Sequence, residues 1–109
     1  DVTDKICILV DDMADTCGTL AKAAETLLGH NARSVIAIVT HGILSGRATE
    51  IINKSKLQSV VCTNTVPLEG KDLQCSRLAT IDISGVLAES IRRLHNGESV
   101  SYLFRNAPM

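Results

Sequence analysis

Hydrophobic and polar positions form two alternating kinds of segment along the chain. An unbroken apolar run, Lys5 to Val10, is followed by a polar string that ends at Cys17. Such a run predicts a strand buried on both faces of a parallel sheet. Beyond the string, apolar residues recur every three or four positions up to Gly29, which predicts one buried face of a helix that Gly29 caps. The helical positions are Leu20, Ala23, Ala24, Leu27 and Leu28.

The same order of strand and helix continues through the chain. Further strands are predicted at Ser34–Val39, from Ser59 to Cys62, and at Leu78–Ile81. Between them, Ser45 is predicted to cap a helix that turns Ala48, Ile51 and Ile52 inward. Alternating parallel strands and helices predict an α/β fold in three layers, with a mainly parallel sheet flanked by helices.

A last helix is predicted from Ser84 to His95. Ser84 precedes an apolar helical repeat, basic residues complement the helix dipole at its end, and Asn96-Gly97 stops it. The weak alternation of the tail, Val100 to Phe104, predicts an added edge strand. The repeat consists of Leu87, Ala88, Ile91 and Leu94.

The polar string Asp11–Thr19 carries the candidate chemistry. The turn and the start of the helix leave backbone N–H groups without helical partners, and the helix dipole adds positive charge there, so a phosphate fits. Thr16 and Thr19 supply hydroxyl donors, while Gly18 permits close approach of the backbone. Asp15 is assigned a supporting role, in which it accepts hydrogen bonds from backbone N–H groups of the loop. The full set is Asp11, Asp12, Asp15, Thr16, Cys17, Gly18 and Thr19.

Asp11 and Asp12 suit a different part of a ligand. Two carboxylates repel a phosphate but accept hydrogen bonds from vicinal sugar hydroxyls, directly or through a hydrated magnesium ion. Any metal contact in this chain is therefore indirect at most. An Asp pair after a strand also often only caps the next helix, so the specificity lies in the whole string.

Two further polar strand ends are expected at the same edge of the sheet. These are Thr40-His41-Gly42 and Thr63-Asn64-Thr65. His41 is interpreted as a loop histidine bonded to backbone rather than as a catalytic group. Arg92-Arg93 is interpreted as a solvated or subunit-contact pair, and His30 and His95 as helix-end residues.

Composition narrows the class of protein. A chain of 109 residues with 45% hydrophobic residues and a net charge of -1 predicts a single globular domain, and neither a nucleic-acid nor a membrane partner. The four cysteines lack paired spacing and are interpreted as free thiols of a reducing compartment. A cytoplasmic location is the default expectation, because no long apolar stretch or signal precedes the first strand.

The string VDDMADTCGT, Val10 to Thr19, resembles the phosphoribosyl pyrophosphate loop of eukaryotic class I ribose-phosphate pyrophosphokinases, also called phosphoribosyl pyrophosphate synthetases. THGILSG (Thr40 to Gly46), VCTNTVP (Val61 to Pro67), IDIS (Ile81 to Ser84) and IRRLHNGESVSYLF (Ile91 to Phe104) extend the resemblance over the whole chain. The broader phosphoribosyltransferase pattern usually has a second glycine where this chain has Cys17, a cysteine that the eukaryotic synthetases share.

The resemblance implies a type I phosphoribosyltransferase-like carboxyl-terminal domain, residues 1–109, that binds ribose 5-phosphate. The implied reaction transfers the diphosphoryl group of Mg-ATP to the anomeric hydroxyl, giving phosphoribosyl pyrophosphate and AMP for nucleotide biosynthesis. Catalytic residues and the ATP site are implied to lie in an amino-terminal domain absent from this chain, so the chain alone is expected to be an inactive fragment. Dimers assembling to hexamers are implied, as are phosphate and ADP effectors at Ser99, Ser101 and Phe104.

Two other interpretations remain open. A receiver domain of a response regulator also has an Asp pair after its first strand, but it needs a third Asp after a later strand, where this chain has Thr40 and Thr63. A non-catalytic regulatory relative of the synthetase is the second alternative. Such a relative is expected to lose the acidic and hydroxyl residues of the loop, all of which are present here.

Overall fold

The computed structural model describes residues 1–108 and contains one parallel sheet. Its strands are β1 (Ile6–Ala14), β2 (Ser34–Gly42), β3 (Ser59–Thr63) and β4 (Leu78–Ile81), hydrogen-bonded in the order β1-β2-β3-β4. The helices are α1 (Gly18–Gly29), α2 (Ala48–Lys54), α3 (Lys71–Gln74) and α4 (Ser84–Asn96), followed by a 3₁₀ turn at Ser101–Phe104. The predicted α/β class and parallel sheet are confirmed. The short helix α3 is not predicted by the sequence pattern.

One face of the sheet, the covered face, packs against α1 and α2. Side chains alternate between the two faces along each strand, and five of those on the covered face, in β2 and β3, are almost fully buried. Ala24 of α1 and Ile52 of α2 are 0% exposed beneath them. The buried strand residues of the covered face are Val35, Ala37, Val39, Val60 and Cys62.

The opposite face of the sheet, the open face, is not covered by residues 1–108. On β1 it carries Ile6, Ile8 and Val10, whose side chains are 56%, 55% and 77% exposed. The expectation that β1 is buried on both faces is therefore wrong for Ile6, Ile8 and Val10. Residues 1–108 build two of the three predicted layers, namely the sheet and the helices on its covered face. A continuous apolar run signals burial on both faces, but it does not say which segment supplies the second cover.

β1 is longer than the apolar run that predicts it. Its parallel pairing to β2 continues beyond Val10, with Asp11 opposite Val39, Met13 opposite His41 and Ala14 opposite Gly42. The Asp pair therefore lies inside the strand rather than after it. Backbone hydrogen bonds to β2 extend β1 through polar residues, whereas the apolar pattern predicts that the strand ends before them.

Helix α4 begins at Ser84, as predicted, and ends at Asn96, one residue later than predicted. Gly97, with φ 68°, ends it as expected. The cap at its start comes from Asp82, whose carboxylate accepts the Ser84 N–H at 2.8 Å, rather than from Ser84 itself. Within residues 1–108 the apolar stripe of α4 has no cover, since Leu87, Ile91 and Leu94 are 55%, 68% and 70% exposed.

The tail is not an edge strand. Ser101–Phe104 forms a 3₁₀ turn, because the Leu103 N–H donates to the Val100 carbonyl at 3.0 Å. Arg93 holds the turn, with its guanidinium carbon 4.3 Å from the centre of the Tyr102 ring. These local bonds outweigh a weak alternation with no neighbouring strand to pair with. Among residues 1–108, no helix has the length and apolar character needed to cross a membrane.

Candidate ligand-binding cleft

The polar string between β1 and α1 forms the walls of a cleft of about 260 Å³. Five of the predicted site residues meet there, whereas Asp12 and Gly18 lie outside its lining. The cleft stands at the carboxyl end of β1, where ligands of parallel sheets bind. Its lining residues are Asp11, Met13, Ala14, Asp15, Thr16, Cys17, Thr19 and Leu20.

The two members of the Asp pair differ in position. Successive side chains of a strand point to opposite faces, so Asp11 shares the side of Met13 and the cleft, while Asp12 shares the side of Val10. The Asp12 N–H donates to Oδ1 of Asp11 at 2.8 Å. This bond fixes the carboxylate that lines the cleft.

The start of α1 offers backbone donors to the cleft. Within residues 1–108, the backbone N–H groups of Thr16, Cys17, Gly18 and Thr19 have no hydrogen-bond acceptor in the structure. The first bond of the helix is donated by the Ala21 N–H to the Cys17 carbonyl, at 3.0 Å. Unpaired N–H groups at the positive end of a helix dipole suit an anion.

Cys17 shapes the loop by its backbone. Its φ of 69° is left-handed, a conformation that favours glycine. The side chain is 5% exposed and belongs to the core. Burial raises the pKa of the Cys17 thiol to about 11, and the neighbouring Asp15 and Cys75 add to the rise. The thiol is therefore a packing group rather than a nucleophile.

Asp15 supports the loop through a partner that the sequence does not reveal. Its carboxylate accepts a hydrogen bond from the hydroxyl of Ser45, in the turn after β2. The expected bonds from backbone N–H groups of the loop are absent within residues 1–108, so that part of the interpretation is wrong. Ser45 correspondingly does not cap α2 with its side chain.

The ends of β2 and β3 lie at the same edge of the sheet as the end of β1, as predicted, with β2 between the other two strands. Nδ1 of His41 lies 2.8 Å from the Thr65 hydroxyl, so His41 bonds to a side chain rather than to the expected backbone group. Thr63 donates its hydroxyl hydrogen to the Thr40 carbonyl at 2.6 Å. At Gly42 a Cβ would lie 2.9 Å from the Cys62 sulfur, so a side chain there would require the buried Cys62 to shift.

Asp82, after β4, is a polar group at the same edge that the sequence interpretation did not include. Its carboxylate accepts from Asn64 Nδ2 at 2.9 Å and from the Ser84 N–H. These bonds hold the pKa of Asp82 below its usual value, with the Ser84 N–H bond the largest cause. Asp82 therefore caps the start of α4 and connects it to Asn64, at the end of β3.

The cleft residues do not form a metal site by themselves. Among residues 1–108, no group of three or more His, Cys, Asp or Glu side chains is placed to hold a metal ion. Asp11 is a single carboxylate of the kind that contacts Mg²⁺ through water, alongside ligand phosphates.

The family resemblance assigns three residues of the tail to effector binding, and they lie close together: Ser99, Ser101 and Phe104. The hydroxyls of Ser99 and Ser101 lie 2.9 Å apart, and Phe104 is 87% exposed beside them. With Tyr102, Arg105 and Asn106 they line an open cleft of about 530 Å³. Nearby, Arg92 bonds Glu89 and Glu98 and Arg93 bonds Glu89, so the predicted Arg pair serves an ion-pair network at the end of α4.

The chain is similar to known proteins over its whole length. The family model described as "Phosphoribosyl synthetase-associated domain" matches residues 1–105. Ribose-phosphate pyrophosphokinase 3 of Saccharomyces cerevisiae is 77% identical over 109 residues, which cover 100% of this chain and 34% of the relative. Ribose-phosphate pyrophosphokinase 1 of Candida albicans is 76% identical over 99% of this chain and 34% of its own length.

A solved structure agrees with these relatives. The crystal structure of phosphoribosylpyrophosphate synthetase from Mycobacterium smegmatis superposes with a TM-score of 0.83 at 39% identity, covering 89% of this chain and 32% of that one. The chain thus spans about a third of the length of the relatives that it matches.

The parallel sheet with its helices places the chain in the α/β class. The chain belongs to the phosphoribosyl synthetase-associated domain family. The resemblance to ribose-phosphate pyrophosphokinases, which are enzymes, is confirmed.

Proposed function

We propose that the cleft between β1 and α1 binds ribose 5-phosphate. The unpaired N–H groups from Thr16 to Thr19, with the hydroxyls of those two threonines, hold the 5-phosphate. Asp11, fixed by the Asp12 N–H, accepts hydrogen bonds from the ribose hydroxyls. The observation that carries the proposal is that unpaired backbone N–H groups and the Asp11 carboxylate line the same cleft.

The intact protein is proposed to be a synthetase. Its reaction transfers the diphosphoryl group of Mg-ATP to the anomeric hydroxyl of ribose 5-phosphate, giving phosphoribosyl pyrophosphate and AMP. The names of the yeast relatives support this reaction. The part played by this chain is to position the sugar phosphate, so that the anomeric hydroxyl meets a donor held by other parts of the enzyme.

Further properties of the intact protein belong to the same proposal. We propose that it forms homo-oligomers in the cytoplasm, with dimers assembling to hexamers. Ser99, Ser101 and Phe104 are proposed to take part in the response to phosphate and ADP, and their shared open cleft supports a common role. Nucleotide biosynthesis is the purpose that the reaction implies.

A calorimetric titration of this chain with ribose 5-phosphate tests the binding proposal. Thr19→Val is expected to weaken binding by about 1.5–3 kcal/mol, because it removes a hydrogen bond to a charged group. Thr26→Val is the matched control: Thr26 lies on the same helix, and its hydroxyl donates to the Lys22 carbonyl. The absence of binding at millimolar ligand, or an equal loss in both variants, would contradict the proposal.

A further inference from the structure

The turn that follows β2 holds the point where the phosphate loop begins. The N–H groups of Ile43 and Leu44 both donate to the Ala14 carbonyl, at 3.0 and 3.1 Å. One residue further, the Ser45 hydroxyl donates to the Asp15 carboxylate. Ala14 is the last residue of β1 and Asp15 is the first residue of the loop. Three consecutive residues of the turn therefore form hydrogen bonds to the two residues where the strand meets the loop.

The turn is itself fixed to the core. Leu44 is 1% exposed and has a φ of 52°, a left-handed conformation that its buried side chain maintains. From the other side, Nζ of Lys71 donates to the Ile43 carbonyl at 3.0 Å. Moving the turn would uncover Leu44 and break these bonds, so it provides a rigid base.

The negative charge of Asp15 lies near the proposed phosphate, and the Ser45 hydroxyl fixes the position of its carboxylate. Its carboxylate lines the cleft proposed for a phosphate, and like charges at such distances repel. A carboxylate free to rotate would take up several positions near the anion. A hydroxyl donor anchored on the rigid turn holds it in one.

We propose that Ser45 is a positioning residue of the ribose 5-phosphate site, acting through Asp15. The hydroxyl orders the first residue of the loop and thereby the N–H groups from Thr16 to Thr19. This inference rests on the proposed function for its effect on binding. Its effect on loop order is separate and is measured without ligand.

The binding test compares four variants by calorimetry with ribose 5-phosphate as the probe. Ser45→Ala is expected to weaken binding about tenfold, in line with the loss of a hydrogen bond to a charged group. Ser45→Thr keeps the hydroxyl and is expected to stay within about twofold of the unmodified chain. In the Asp15→Ala background, Ser45→Ala is expected to add no further loss, because the two residues act as a unit.

The loop test measures backbone ¹⁵N order parameters of residues 15–19 in the free chain. Ser45→Ala is expected to lower them towards the flexible range, below about 0.6, and Ser45→Thr to restore them. Order parameters that stay unchanged in Ser45→Ala would overturn the inference, whatever the binding result. So would equal losses of affinity in the native and Asp15→Ala backgrounds. Absence of binding in the unmodified chain would instead overturn the proposed function.

Discussion

At the scale of single residues, Cys17 combines a left-handed backbone with a buried side chain. Its φ is 69° and its side chain is 5% exposed. A left-handed conformation costs a non-glycine residue roughly 1–2 kcal/mol. The Cys17 thiol offsets part of that cost by packing in the core.

The first prediction compares two truncations of Cys17. Both Cys17→Ala and Cys17→Gly lose the thiol, but only glycine relieves the backbone. We therefore expect Cys17→Gly to be more stable than Cys17→Ala by about 0.5–1 kcal/mol in urea unfolding. An alanine variant at least as stable as the glycine variant would show that the backbone at Cys17 is not strained.

The second prediction concerns alkaline pH. The pKa of the Cys17 thiol is about 11 in the folded chain, above its ordinary value of 9.0, because burial disfavours the thiolate. The folded state therefore holds the proton more tightly than the unfolded state. The stability from this group is complete below pH 9 and is lost as the pH rises towards 11. Urea unfolding at pH 8, 9 and 10 should show a steeper decline in the native chain than in Cys17→Ala.

The third prediction separates the Asp pair. Asp11 lines the cleft and Asp12 does not. Calorimetry with ribose 5-phosphate should therefore show a larger loss of affinity for Asp11→Asn than for Asp12→Asn, which keeps the N–H that orients Asp11. Equal losses would mean that both carboxylates reach the ribose and that Asp12 turns towards the ligand on binding.

The loop string could be predicted from the sequence, but its supports could not. Asp11 to Thr19 are contiguous, so strand, turn and helix signals place them together. Asp15 and Ser45 are 30 positions apart, and His41 and Thr65 are 24 apart. Such pairs depend on which strands are neighbours, a property that local patterns do not contain.

At the scale of elements, the sequence predicts whether a segment is a helix or a strand better than it predicts where the segment ends or what it packs against. β4 lies at its predicted bounds, Leu78–Ile81, and α4 is one residue longer than predicted. β1 extends to Ala14 because its pairing with β2 continues through polar residues. The tail turns instead of pairing, since Arg93 and Tyr102 stack on each other. The extension of β1 depends on pairing with a distant segment and the turn of the tail on a contact with α4, neither of which the local pattern of apolar residues contains.

The fourth prediction concerns helix α2, which is 7 residues long. Glu50 accepts hydrogen bonds from Arg47 and from Lys54, and these bonds, Arg47 first, lower the pKa of Glu50 to about 2 from its ordinary 4.5. The stability from Glu50 is present above pH 4.5 and is lost as the pH falls towards 2. Glu50→Gln should flatten this part of the acid unfolding curve, measured by circular dichroism.

The matched control for α2 is Glu25→Gln on the surface of α1. It removes one carboxylate of the same type and should leave the acid dependence as steep as in the native chain. If both variants flatten the curve equally, the acid sensitivity arises from net charge rather than from the ion pairs of Glu50.

At the scale of the whole molecule, the chain is extended for its length. Its radius of gyration is 16.4 Å, against about 13 Å for a compact domain of this size. Helix α4 contributes to the difference, because its apolar stripe is not packed against the rest of the fold within residues 1–108. Parallel sheets in globular proteins normally have both faces covered by other segments.

The fifth prediction uses the two faces of the sheet. Val39, on the covered face, is 2% exposed, and Val10, on the open face, is 77% exposed. Val39→Ala should destabilise this chain by about 1–3 kcal/mol in urea unfolding, whereas Val10→Ala should change stability by less than about 0.5 kcal/mol. An equal loss for Val10 would indicate that the open face is covered in solution.

The last prediction concerns the activity of this chain by itself. Transfer of a diphosphoryl group needs a positioned donor and cationic groups around the phosphates, and positioning alone contributes up to roughly 7–11 kcal/mol. The lining of the cleft contains no Lys or Arg within the part of the chain that the structure describes. We therefore expect no release of AMP above background from Mg-ATP and ribose 5-phosphate, with a full-length relative as the positive control. Turnover that survives purification and disappears in Asp11→Ala would place catalytic groups in this chain, because only a cleft that also activates the donor could produce it.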